Sequence, residues 1–240
     1  MDGIIHSFES LAAVDGEGLR YSVFLAGCPL RCAYCHNPDT WKQEGKKITP
    51  EELVKKIGRY KVYFGNNGGV TFSGGEPLLQ AQFLKSCVPL LSDAGIPYVL
   101  DTSGQVELTE DVLFLLQNAQ EILLDLKFPT NDAYRTYTGG SLDKTLSMLS
   151  YLDEIGKPTV LRTVIVQDVN DTTEHLDSYL EKIKGVACIK KYELLPFHTM
   201  GFFKYEKLGI KNPFAEKTAF AKEKLTELQL YVNNKIKKEG

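Results

Sequence analysis

Runs of β-branched, aliphatic and aromatic residues alternate along the chain with longer amphipathic stretches, and turn residues separate them. Tyr21–Ala26 is the first such run and ends at Gly27; Val70–Ser73, Tyr98–Asp101, Ile122–Leu126, Thr159–Val166 and Ile189–Leu195 follow. Each reads as a short strand. Thr49-Pro50-Glu51-Glu52 predicts a helix start, with Thr49 as N-cap, Pro50 at the first position and Glu52 completing a capping box. Further helices are expected near Leu78–Ser92, Glu110–Asn118, Leu142–Ile155 and Thr173–Lys184, with Gly95, Gly156 and Gly185 where C-caps belong. Phe214–Lys237 reads as a final helix with a solvated, lysine-rich end. Six strands alternating with helices specify a parallel sheet with right-handed crossovers. Six units are too few to close an eight-stranded barrel. The pattern leaves an open doubly wound sheet or a barrel with a quarter missing.

Composition narrows the setting. The 240 residues are 43% hydrophobic and 25% charged, as in ordinary globular proteins. With 28 basic against 31 acidic side chains, a net charge of −3 supplies no overall basic field for nucleic acid. No apolar run approaches the ~20 residues of a membrane span. Met1–His6 lacks the basic region and long apolar stretch of a secretory signal. The expectation is a soluble, cytoplasmic monomer with no nucleic-acid or membrane partner. No repeat, low-complexity stretch or linker divides the chain. Residues 1–240 are therefore expected to form one domain, with a core over about 15–200 and a C-terminal helix over about 214–238.

Polar residues gather where the strands end. Cys28, Cys32, Cys35 and His36 follow the first strand, and Ser73-Gly74-Gly75-Glu76-Pro77 the second. The third ends in Asp101-Thr102, the fourth in Asp125 and Lys127, and the sixth leads to His198; the fifth carries Arg162 inside an apolar run. Strands buried on both faces seldom hold ionised residues without partners, and C-terminal strand ends form the active face of barrel enzymes. Singly, each residue reads as a loop residue or a satisfied ion pair. Jointly, one convergent site explains them.

Five cysteines, an odd number in a chain that reads as unsecreted, argue against a disulfide framework, and three of them fall within eight residues. Cys28-Pro-Leu-Arg-Cys32-Ala-Tyr-Cys35 puts three thiols on one tight loop, which suits a soft metal or an iron–sulfur cluster. A structural zinc site wants four closed ligands, and the adjacent Cys35 and His36 are poorly placed to share one tetrahedral ion. A ferredoxin cluster wants a fourth cysteine, and Cys87 and Cys188 lie remote on a predicted helix and strand. Three ligands on a four-iron cluster leave one iron open to an exogenous molecule. That asymmetry implies chemistry beyond electron transfer. A non-catalytic metal-binding module is the competing class.

The CxxxCxxC spacing, with Tyr34 before the third cysteine, and the following Gly74-Gly75-Glu76 resemble the radical S-adenosylmethionine (SAM) superfamily. Within it, His6-Ser7-Phe8-Glu9-Ser10, Val14-Asp15-Gly16-Glu17-Gly18-Leu19-Arg20, Tyr34-Cys35-His36-Asn37, Asp39-Thr40-Trp41, Leu124-Asp125-Leu126-Lys127 and Glu193-Leu194-Leu195-Pro196-Phe197-His198 resemble the pyruvate formate-lyase activating enzymes. The departure is Glu17, where that family's pattern expects proline. The resemblance implies a single radical SAM domain folded as a partial (β/α)6 barrel of the TIM type, open on one side. It implies a [4Fe–4S] cluster on Cys28, Cys32 and Cys35, and reductive SAM cleavage yielding a glycyl radical on pyruvate formate-lyase under anaerobic conditions. A flavodoxin or ferredoxin is the implied electron donor. No eight-cysteine insertion separates Cys35 from Thr49, which points to the single-cluster branch. The runner-up enzymes are other compact relatives, a deazaguanine synthase or an activator of anaerobic ribonucleotide reductase.

By the same resemblance, Tyr34, Cys35 and His36 border the adenine side of SAM, and Gly74, Gly75 and Glu76 its methionine end. Asp125, Leu126 and Lys127 match an Asp-Leu-Lys cofactor contact, although an Asp125–Lys127 ion pair is an equal reading. Arg162 and His198 match positions near the ribose, His198 also reading as a cap of the last loop. Asp101, Thr102 and Asp125 resemble a set holding a monovalent cation, Na+ or K+, for which oxygen ligands are suitable. Asp15 is assigned to the substrate peptide.

Overall fold

The computed structural model describes residues 1–239. The six expected strands form a continuous parallel array: β2 (Arg20–Leu25), β4 (Gly69–Gly74), β5 (Tyr98–Thr102), β6 (Glu121–Asp125), β7 (Thr159–Ile165) and β8 (Ile189–Pro196). Two further strands extend it beyond the expected six. β1 (Gly3–Ala12) runs antiparallel to β2, and β3 (Lys46–Ile48) antiparallel to β1. The order is β3-β1-β2-β4-β5-β6-β7-β8, and the end strands do not pair. The result is the expected partial barrel, open on one side.

Alternation along the strands decides what faces where. Phe72, Leu100, Leu124 and Leu161, all 0% exposed, join the hydrophobic core. Each such side chain contributes roughly 1.5–3 kcal/mol on burial. Their neighbours Ser73, Asp101, Asp125 and Arg162 line a cavity instead. The helices α1 (Pro50–Gly58), α2 (Ala81–Asp93), α3 (Glu110–Asn118), α5 (Leu142–Glu154) and α6 (Thr173–Ile183) follow the expected pattern. The capping box forms as read, with Thr49 Oγ1 accepting from the Glu52 amide and Glu52 Oε2 from the Thr49 amide, each at 3.2 Å.

Two short helices are additional: α4 (Asn131–Thr138) and α7 (Phe202–Leu208). The last helix, α8 (Lys222–Glu239), begins later than the expected 214. Residues 213–216 form a turn and 217–221 are irregular instead, because Phe214 and Phe220 plug the core and the Phe220 amide donates to the Phe197 carbonyl at 2.8 Å. From α8, Gln229 donates to the Tyr192 carbonyl and accepts from the Leu194 amide, both at 2.8 Å. Its carboxamide occupies the free edge of β8 as a neighbouring strand would. Among the described residues no helix is long and apolar enough to cross a membrane.

Candidate active site

The cysteine loop leaves β2 at the C-terminal end of the parallel strands. α4 anchors one side of it: the amides of Arg31 and Ala33 donate to the Thr138 and Tyr137 carbonyls, each at 2.8 Å. The Gly27 amide donates to the Thr40 carbonyl at 2.8 Å, closing the loop on itself. Cys28, Cys32 and Cys35 are free thiols lining one cavity of about 270 Å3. Cys87, buried on α2, and Cys188, just ahead of β8, lie outside it. Burial pushes the Cys28 thiol up to about 11 and Cys32 to about 12, and raises Cys35. A metal must therefore displace protons to bind. Among the described residues, no three His, Cys, Asp or Glu side chains converge closely enough to hold a single ion. A lone zinc is poorly served by this donor set. A polynuclear cluster, in which each thiolate takes its own iron, fits it.

The cavity floor is charged. Arg162 reaches two carboxylates: it bonds Asp101, and it bonds Asp125 Oδ1 through Nη2 at 2.9 Å and Nε at 3.1 Å. Lys127 Nζ lies 3.0 Å from Asp125 Oδ2, and Ser73 Oγ donates to Asp101 Oδ2 at 2.8 Å. Burial raises Asp101 despite Arg162. For Asp125 burial acts in the same direction, but Lys127 and Arg162 together outweigh it and hold the carboxyl below its ordinary value. Asp15 reaches the same cavity from the loop ahead of β2, its carboxylate accepting from Ser22 Oγ.

Other expected residues do different work. Glu76 is 0% exposed, and its carboxylate accepts from Thr102 Oγ1 (2.7 Å), Ser103 Oγ (2.6 Å), and the amides of Ser103 (2.9 Å) and Leu78 (3.2 Å). It ties the loops after β4 and β5 together and does not line the cavity. Thr102 does line it, with its hydroxyl spent on Glu76. Gly74 and Gly75 line the cavity too. A Cβ on Gly75 would stand 2.2 Å from the Gly27 carbonyl oxygen and 3.0 Å from Cys28 Cβ, so glycine is what lets β4 meet the cysteine loop. Leu126 is core, its amide donating to the Arg162 carbonyl at 2.9 Å.

His198 lies at an adjoining chamber of about 480 Å3, which shares Phe24, His36 and Asn37 with the first cavity. The rings of His36 and His198 stack with centroids 3.4 Å apart, and His36 Nε2 lies 3.1 Å from the His198 carbonyl oxygen. Burial and the neighbouring His198 depress His36 to about 4, leaving it neutral at physiological pH. Among the described residues, the buried side-chain polar atoms lacking any partner are Tyr34 OH and His198 Nδ1. An unmet buried donor or acceptor costs ~1–3 kcal/mol. Tyr34 lines the first cavity and His198 the adjoining chamber, so a ligand that spans the two with polar groups of its own fits these needs. Sequence reasoning missed the α4 carbonyls, Ser103 and the whole of α7, because these meet the site only through tertiary contact.

A partial parallel barrel, with three thiols after its first parallel strand and a glycine pair after its second, defines a class of protein. Residues 22–180 match the Radical SAM superfamily. Along nearly its whole length the chain is similar to pyruvate formate-lyase-activating enzymes. That of Clostridium pasteurianum is 42% identical over 232 residues, covering 96% of this chain and 97% of the relative. That of Streptococcus mutans is 38% identical over 219 residues, covering 88% and 83%. The chain belongs to the pyruvate formate-lyase-activating enzyme family of the Radical SAM superfamily. Its fold is similar to that of a radical SAM methyltransferase from Sphaerobacter thermophilus, with a TM-score of 0.64, 16% identity, and coverage of 90% of this chain and 64% of that one.

Proposed function

We propose that this chain activates pyruvate formate-lyase under anaerobic conditions, placing a glycyl radical on it by reductive cleavage of SAM at a [4Fe–4S] cluster. The observation that carries this reading is three free thiols in a cavity that Tyr34 also lines, with His198 in the adjoining chamber, the Tyr34 hydroxyl and His198 Nδ1 both buried without partners. When bound, the cluster and SAM supply one electron and a hydrogen-abstracting carbon; the protein supplies binding, orientation and exclusion of side reactions.

Cys28, Cys32 and Cys35 hold the cluster as thiolates and leave one position free for SAM. Tyr34, His36 and His198 take the nucleoside end, where the two orphaned atoms find partners. Gly74 and Gly75 admit the methionine end close to the backbone. Lys127 and Arg162 are the cations suited to its carboxylate, a role for Arg162 that differs from the place near the ribose implied by the resemblance. Glu76 serves by holding the loops after β4 and β5 in place, and Leu126 through its backbone bond to Arg162. A monovalent cation, Na+ or K+, would take Asp101, Thr102 and Asp125; Arg162 and Glu76 must then release part of their present hold. Asp15 faces the lyase's glycine loop, whose lack of a Cβ suits a close approach. A flavodoxin or ferredoxin delivers the electron, and the protein works in the cytoplasm as a monomer.

The test is anaerobic reconstitution followed by SAM cleavage with and without pyruvate formate-lyase. The expected result is about four irons per chain, as a [4Fe–4S] cluster requires, and a glycyl-radical resonance on the lyase. A chain that cleaves SAM yet leaves the lyase without that signal overturns the choice of substrate. Zinc alone in the reconstituted protein overturns the chemistry.

A further inference from the structure

The outer lip of the site, from Cys35 to Trp41, is held from outside by α7. Lys204 Nζ donates to Asn37 Oδ1 at 2.7 Å and to Asp39 Oδ1 at 3.0 Å. The other oxygen of Asp39 lies 3.1 Å from His6 Nε2 on β1. These side chains are largely buried, with exposures of 21% for Lys204, 27% for Asp39 and 25% for His6. β1 lies toward one end of the open sheet, and α7 follows β8 at the other. The contacts His6–Asp39–Lys204 therefore bridge the open side of the barrel at its cysteine end.

The next residue adds a second hold. Tyr205, 2% exposed, donates its hydroxyl to the Cys35 carbonyl at 3.0 Å, and its ring meets Trp41 edge-on at 6.0 Å. Gly201, just ahead of α7, lies so close that a Cβ there would stand 2.6 Å from the His36 carbonyl oxygen. Lysine can only donate. Lys204 therefore turns the Asn37 carbonyl oxygen toward itself and leaves the amide NH2 as the end available to a ligand.

We propose that Lys204 and Tyr205 are positioning residues of the SAM site. They fix the lip from Cys35 to Asp39 before the cofactor arrives, acting through Asn37, Asp39 and the Cys35 backbone. The inference rests on the functional reading above and extends it to residues no motif reached. Without the clasp, the lip is ordered only on binding, and that ordering cost is taken from SAM affinity. The three thiols are untouched, so cluster assembly survives.

The experiment compares reconstituted full-length Tyr205→Phe, Lys204→Met and Lys204→Arg with the unsubstituted chain. Iron content, SAM dissociation constant by calorimetry and the resonance spectrum of the reduced cluster with and without SAM are measured. Expected are full iron content, an altered SAM-dependent spectrum and affinity weaker by about 10–100-fold, the usual loss when a group orienting a ligand is removed. Lys204→Arg should recover part of the loss. Tyr205→Phe keeps the buried ring and removes only the hydroxyl, which guards against a trivial folding defect. Normal SAM affinity and spectrum with a lowered melting temperature would overturn the proposal and reduce α7 to packing. An unsubstituted chain whose cluster does not respond to SAM would instead overturn the functional reading, and this inference with it.

Discussion

The two ends of the sheet each bury an arginine, and they treat it in opposite ways. At the base, Arg20 is 0% exposed and bonded to neutral oxygens: Thr71 Oγ1 at 2.7 Å and the carbonyls of Glu17, Asn67 and Val70 at 2.9, 3.2 and 2.8 Å. Burial depresses it to about 10, which still leaves it charged at neutral pH. At the mouth, Arg162 is held by the carboxylates of Asp101 and Asp125 beside an open cavity. Arg20 is saturated by acceptors that the backbone has already fixed in place. A ligand carboxylate can compete with Asp101 and Asp125 for Arg162, and a cation can compete with Arg162 for them; Tyr34 lines the same cavity and His198 the chamber beside it, each with an unpartnered buried atom. Complete satisfaction marks scaffold. Unspent bonding capacity marks the site.

The largest effect should come from the thiols at the mouth. Cys28→Ala, Cys32→Ala or Cys35→Ala is expected to abolish both cluster content and lyase activation, whereas Cys87→Ala and Cys188→Ala keep both. Iron analysis and radical yield check this, and cluster loss on Cys87→Ala alone would break the division between the two sets.

The arginines come next. Arg162→Ala should lower activation by at least ~100-fold, since the loss of one well-placed electrostatic partner costs that much, with full iron content retained. Arg20→Met should deprive five acceptors of this donor, the four above and Gln120 Oε1 at 3.5 Å. Unfolding in urea is expected to show a loss on the order of 3 kcal/mol, with normal SAM affinity in whatever fraction stays folded. The opposite pattern would erase the contrast between the two ends.

Glu76→Gln tests a residue that belongs to both ends in character: fully satisfied, yet part of a site motif. Its amide NH2 would face donors from Thr102, Ser103 or Leu78, so a stability loss of about 1–3 kcal/mol is expected, together with weaker SAM binding as the loops part. Calorimetry and thermal melting separate the two. Far from either arginine, Thr49→Ala should cost only about 1 kcal/mol and leave activation unchanged. An activity loss there would show that the scaffold and the mouth are coupled.

The parallel strands were legible because their apolar runs are continuous, and the polar residues after them announced one active end. β1 was not, because its pairing with β2 slips between Ile5 and Ser7 and again between Ser10 and Ala12, which breaks the alternation that marks a strand. α4 is eight residues long and polar on average, with Tyr134 and Thr138 buried, and α7 is seven with Tyr205 buried, so each is too short to stand out as a helix. Residue types gave the cysteines and the Asp125–Lys127 pair. They could not give the saturation of Glu76, nor the bond from Lys204 to Asn37, whose partners are 167 positions apart.

Leaving a barrel unclosed exposes two strand borders, and exposed borders invite copies of a chain to stack edge to edge into aggregates. Here neither is an easy template. β3 is three residues long and presents the exposed Lys46 and Lys47. Along β8, Gln229 already occupies the Tyr192 carbonyl and the Leu194 amide, and the strand carries charge at the exposed Lys190 and at Lys191, which pairs with Glu193. Removing that glutamine side chain would free both backbone groups for pairing. It would also turn the strand beside it into an adhesive surface, so colloidal behaviour at high concentration is where its loss would first be felt.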